Sequence, residues 1–65
     1  MNKEDRNKLV KAGFTILRVY EAPSPCIKEM TGEHSWAIKE KFDTKAAMNR
    51  AINNINEHEP KMIFE

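Results

Sequence analysis

The chain has one cysteine, two glycines and almost no net charge, and each shortage excludes a class of protein. Cys26 alone allows no internal disulfide, and without a C-x-x-C pair or a Cys/His cluster there is no structural-metal signature. A lone thiol points to a reducing, cytoplasmic setting. Gly13 and Gly32 stand apart, so no glycine-rich loop can cradle a phosphate. A formal net charge of +1 excludes a polycation or an acidic tail. No apolar run approaches membrane-spanning length, and the opening MNKEDRNKLV is too polar for a signal peptide, so no membrane association is expected.

What remains is 65 residues, 32% charged and 40% hydrophobic, the profile of one globular domain over residues 1–65. A chain this short buries only about 60% of its unfolded surface, which leaves a thin stability margin. Self-association is one route to more.

Residues 2–12 read as a helix. Asn2 caps it, Glu4 and Asp5 suit its positive end, and Lys8 and Lys11 suit the other. Gly13 follows as a left-handed cap, with Phe14 folding back on Leu9. The apolar face of Leu9, Val10 and Ala12 is narrow, so this helix must dock to persist. Residues 14–21, FTILRVYE, read as a strand, broken by the two prolines of residues 22–25. Residues 26–31 form a second strand, Gly32-Glu33 a type II′ turn, and residues 34–42 a third strand. Asp43 or Thr44 caps a second helix over residues 44–57, whose stripe is Ala47, Met48, Ala51, Ile52 and Ile55. Pro60 ends it, and residues 61–65 read as a short apolar tail whose Met62 or Phe64 closes the core.

Turn lengths set the registers. A two-residue turn at Gly32-Glu33 puts Ile27 opposite Ile38 and Glu29 opposite Trp36. A four-residue connection over residues 22–25 puts Tyr20 opposite Ile27 and Arg18 opposite Glu29. Both place Phe14, Ile16, Tyr20, Ile27, Trp36, Ile38 and Phe42 on one face, with Arg18 and Glu29 pairing at its margin. The expected fold is α+β, of order α-β-β-β-α, a three-stranded antiparallel sheet with the C-terminal helix packed on one face. The open face then carries Thr15, Leu17, Val19, Cys26, Lys28, Met30, Ser35, Ala37, Lys39 and Lys41, with Glu21 its one acid.

No catalytic, cofactor-binding or metal-ligating constellation is present. His34 sits beside a turn, and His58 suits a helix C-terminus. Neither pairs with a nucleophile, and the carboxylates are scattered. Cys26 reads as a semi-buried thiol on the far side of the sheet from the core. The polar face of the second helix, Lys45, Asn49, Arg50, Asn53, Asn54 and Asn56, reads as a neutral solvated surface, although asparagine and arginine can also read base edges.

The run Trp36-Ala37-Ile38-Lys39-Glu40-Lys41-Phe42-Asp43-Thr44-Lys45-Ala46-Ala47 resembles the arm-type DNA-binding domain of tyrosine recombinases, where an aromatic strand leads into F-x-T-K-x-x-A at a helix start. The resemblance implies a sheet lying in the major groove with Lys28, Lys39 and Lys41 on DNA. The element order is also similar to that of double-stranded RNA-binding domains, whose last helix starts lysine-rich, whereas Lys45 here stands beside Asp43. The expectation is a small non-enzymatic binding module, engaging nucleic acid through Lys28, Lys39 and Lys41 on the open face. The alternative is a protein-interaction module or homodimer on that same face, using Leu17, Val19, Met30 and the Met62–Phe64 tail.

Overall fold

A computed structural model describes residues 2–65. The elements run α1 (Lys3–Lys11), β1 (Thr15–Tyr20), β2 (Cys26–Gly32), β3 (Ser35–Lys41), α2 (Lys45–His58) and β4 (Met62–Phe64). Both helices start and stop where local chemistry dictates. The Asn2 side chain accepts from the Asp5 amide at 2.9 Å, and Thr44 Oγ1 accepts from the Ala47 amide at 3.1 Å. Gly13 takes φ 91°. The Gly13 N–H donates to the Val10 carbonyl at 3.0 Å and the Phe14 N–H to that of Leu9 at 2.9 Å, the paired bonds of a Schellman motif.

The sheet corrects the expected architecture. It has four strands in the order β3-β2-β1-β4. The first three are antiparallel neighbours, but β4 runs parallel to β1, matching Thr15 with Met62, Ile16 with Ile63 and Leu17 with Phe64. The segment expected to be a tail is thus the fourth strand of a mixed sheet. Parallel neighbours need a long crossover, and here the connection from β1 runs through two strands and α2 before β4 docks. The Thr15 N–H donates to the Lys61 carbonyl and the Glu65 N–H to that of Leu17, both at 2.8 Å.

Both hairpins are also displaced by one residue from the expected registers. Val19, not Tyr20, lies opposite Ile27, and Tyr20 lies opposite Cys26. The connection between them is therefore residues 21–25, five residues rather than four. In the second hairpin Lys28 lies opposite Ile38 and Met30 opposite Trp36. The turn centres on Glu33-His34, Gly32 pairs with Ser35, and Gly32 is not in the left-handed region, so the type II′ turn does not form. Thr31 and Lys39 are the extra residues at two register shifts.

A one-residue displacement moves a strand's side chains to the other face. Leu17 and Ile27, fully buried, meet Met48 and Ile55 of α2, with Phe42, Ala51, Ile52, Met62 and Phe64 packed around them. Ile16, Tyr20, Trp36 and Ile38, expected beneath α2, lie on the opposite face. Of the expected core face only Ile27 and Phe42 stay with α2. Arg18 faces away from Glu29, which is matched with Leu17, and the expected Arg18–Glu29 pair does not form.

The second face is half covered. α1 lies over its end near β1: Val10 and Met30 line one hollow, Arg6 and Arg18 share the Glu65 carboxylate, and Ile16 is fully buried. The result is three layers, α2, sheet and α1, with the end of the second face around Tyr20 and Lys41 left bare.

Truncation separates the two faces. Leu17→Ala empties a position with no solvent exposure and is expected to cost about 2–5 kcal/mol. Ile38→Ala, at a side chain 50% exposed, is expected to cost about 0.5 kcal/mol. Denaturant titration of both variants checks this, and the reverse ranking would restore the expected parity.

Candidate functional site

The uncovered part of the second face is built from two cross-strand rows. Arg18, Lys28 and Ile38 form one, and Tyr20, Cys26 and Lys41 the next. Trp36 borders the first row through its pairing with Met30. Side chains opposite one another on adjacent strands are within contact range, and diagonal ones within reach of long or aromatic groups. One diagonal is used here, with Lys28 Nζ 4.7 Å from the centre of the Tyr20 ring, and the Arg18 guanidinium reaches across β2 to lie 4.2 Å from the centre of the Trp36 ring of β3. Two aromatic rings on this face, one from β1 and one from β3, therefore each carry a cation.

The cations differ in freedom. Arg18 is anchored: Nη1 donates to the Tyr20 hydroxyl at 3.3 Å and Nη2 to Glu65 at 2.8 Å. The hydrogen bond to Tyr20 and that to Glu65 hold its pKa above the ordinary value. Glu65 also takes Arg6 from α1. Its burial disfavours the charged carboxylate, yet hydrogen bonds and attraction from Arg6 and Arg18 outweigh this and hold its pKa below the ordinary glutamate range. One carboxylate thus ties α1, β1 and the end of β4 together. Lys28, Lys39 and Lys41, by contrast, have no carboxylate partner among the described residues.

Of the three lysines expected to act together, the structure brings Lys28 and Lys41 to one face, around a hollow bounded by Tyr20, Pro23, Cys26 and Ile38. Lys39 is the extra residue of the β3 bulge, exposed and outside both rows. Sequence reasoning left out Arg18, Tyr20, Trp36 and Ile38, because it placed them beneath α2. The cue that bears on them is the even spacing from Trp36 to Phe42: if Phe42 must reach α2 while Trp36 does not, the strand between must carry an irregularity. The surface proposed for a protein partner is dispersed. Leu17 lies in the core, Val19 shares the face of Ile27, Met30 is on the other face, and Met62 and Phe64 pack against the core.

Among the described residues no three His, Cys, Asp or Glu side chains could hold a metal ion together, and no helix is long and apolar enough to cross a membrane. Comparison with protein-family models, curated proteins and solved structures finds no match for this chain.

The Glu65 junction gives a pH dependence of defined sign. A carboxyl whose folded pKa is lowered contributes stability above its unfolded value and loses it as pH falls through the folded value. Stability is therefore expected to decline as pH drops below the ordinary glutamate pKa of 4.5. Glu65→Gln is expected to lower the midpoint temperature at neutral pH and flatten that acid limb, and thermal melts across the acid range check both effects.

Proposed function

We propose that this chain is a small, non-enzymatic binding module of the cytoplasm that engages nucleic acid through the half-open sheet face. The observation that carries the reading is the pairing of half-buried aromatic rings with lysines that have no salt-bridge partner among the described residues. Trp36 and Tyr20 flank the face, Ile38 adds exposed apolar area, and Lys28 and Lys41 stand at one end with no carboxylate paired to them among the described residues. Phosphates meet lysines as point charges, and bases meet aromatic and aliphatic surface, which is the chemistry of sheet-based recognition of unpaired strands. Lys39, exposed on the adjoining bulge, extends the positive rim. A near-neutral chain can do this because most of its acids lie on other surfaces or are already paired: Glu4 and Asp5 at the start of α1, Glu57 and Glu59 at the end of α2, and Glu29 and Glu40 on the α2 side of the sheet, while Arg6 and Arg18 take Glu65, Lys3 takes Glu33 and Lys45 takes Glu21.

The tests are electrostatic and hydrodynamic. Fluorescence anisotropy with a short labelled single strand, repeated at rising salt, is expected to give a falling affinity. Lys28→Ala with Lys41→Ala is expected to weaken binding at low salt and to reduce the salt slope by about 0.7 per lost phosphate contact. No binding at low ionic strength, or a double variant that binds unchanged, rejects the reading. Sedimentation that shows a dimer masking Lys28 and Lys41 would replace it with self-association.

A further inference from the structure

The same face holds a hollow of about 180 Å³, closed on one side by the loop between β1 and β2. Its floor is Cys26, 7% exposed, which lies between Tyr20 and Lys41 in the cross-strand row. Its walls are the Tyr20 ring, Pro23 and Ile38, and Lys28 and Lys41 complete the lining. Among the described residues no carboxylate lines it. Lys28 is held near its mouth by the Tyr20 ring. An exposed cation–π contact is worth only about 0.5–1 kcal/mol, so the ammonium is positioned there without being locked.

The volume falls below the roughly 300–1,000 Å³ of a site for a drug-sized molecule. It admits one flat ring system, not an extended ligand. A concavity with apolar walls, a weakly polar floor and two unpaired ammonium groups selects a ring whose negative charge lies outside it. In a polynucleotide that is one base with the phosphates on either side. Only an unstacked base can turn into such a hollow, so the strand must be single.

We infer that the hollow bounded by Tyr20, Pro23, Cys26 and Ile38 is a subsite for one unstacked base of single-stranded nucleic acid, with Lys28 and Lys41 on the flanking phosphates. The inference rests on the reading of the sheet face as a nucleic-acid surface and adds to it a place and a strand state.

The floor residue is also the reporter, because Cys26 is the only cysteine of the chain. Binding of labelled oligodeoxythymidylate is measured first, and its absence at low salt rejects the face and the subsite together. Alkylation of Cys26 by a maleimide is then followed in the free protein, at saturating oligodeoxythymidylate, and at a saturating abasic phosphodiester of equal length. The expected result is a rate slowed about tenfold by the oligonucleotide and unchanged by the abasic strand, since a seated base covers the thiol and a backbone alone does not. An oligonucleotide that binds yet leaves the rate unchanged overturns the subsite while the wider face stands. If the free thiol reacts too slowly to follow, Ile38→Ala decides. Loss of that aliphatic wall is expected to weaken the oligonucleotide about fivefold, the effect of roughly one methylene's worth of lost apolar contact, and to leave the abasic strand unchanged. Equal affinity for the oligonucleotide in wild type and variant overturns the subsite. Thymidine monophosphate that protects Cys26 as strongly as the oligonucleotide, at equal concentration of bases, would assign the hollow to free nucleotides and overturn the single-strand assignment.

Discussion

Everything on the two sides of this sheet follows from one pairing, Val19 against Ile27 with Tyr20 against Cys26 beside it. That register commits Leu17 and Ile27 to α2 and leaves Ile16, Arg18 and Tyr20 for α1 and solvent. It is stabilised from the α2 side, where Met48 and Ile55 close over two fully buried aliphatics. At about 25 cal/mol per Å² of apolar surface, burial of such side chains outweighs any alternative pairing that would put Tyr20 or Arg18 under the helix. The core is small, and the sheet must therefore use both faces. α2 covers one with aliphatic contacts, while α1 covers half of the other and is tied down by charge.

The elements with local causes were legible in the chain. The Asn2 and Thr44 caps, the Gly13 stop and the stripe from Met48 to Ile55 each depend on residues within a few positions of one another, and each is found. The register was not legible, because nothing near residues 21–25 marks a five-residue connection, and Thr31 and Lys39 carry no bulge signature of their own. β4 was missed for a different reason. Three residues cannot show a period, and only the distant β1 makes them a strand. Lys28 and Lys41, though not Lys39, kept their expected side through a cancellation. β2 kept its orientation, which left Lys28 facing away from α2. β3 was reversed by the hairpin displacement and reversed again by the extra residue at Lys39, so Lys41 and Phe42 returned to their expected sides, whereas Trp36 and Ile38, ahead of the bulge, did not. The displacement that took the tryptophan out of the expected core is what set it beside Arg18 and near Lys28.

Glu65 shows how a domain of this size holds a poorly amphipathic helix. α1 buries no residue fully, so apolar contact alone secures it weakly. The carboxylate, 14% exposed, adds what the stripe lacks by taking Arg6 from the helix and Arg18 from the sheet. A shielded carboxylate with two guanidinium donors is worth more than an exposed ion pair such as Lys3–Glu33. The same bond orients Arg18 over Trp36, so the anchoring of the helix and the geometry of the aromatic surface share one residue.

The Lys39 irregularity has a consequence for how another molecule could approach. β3 is the outermost strand of the sheet, and its free backbone groups would otherwise be a template for an added strand from a second chain. An extra residue in the middle breaks the even comb of donors and acceptors, and a charged side chain at the break makes lateral annealing unfavourable. On the opposite margin β4 offers only three residues. Growth of the sheet sideways is thus discouraged at both borders, which leaves the broad surface rather than the rim as the open approach.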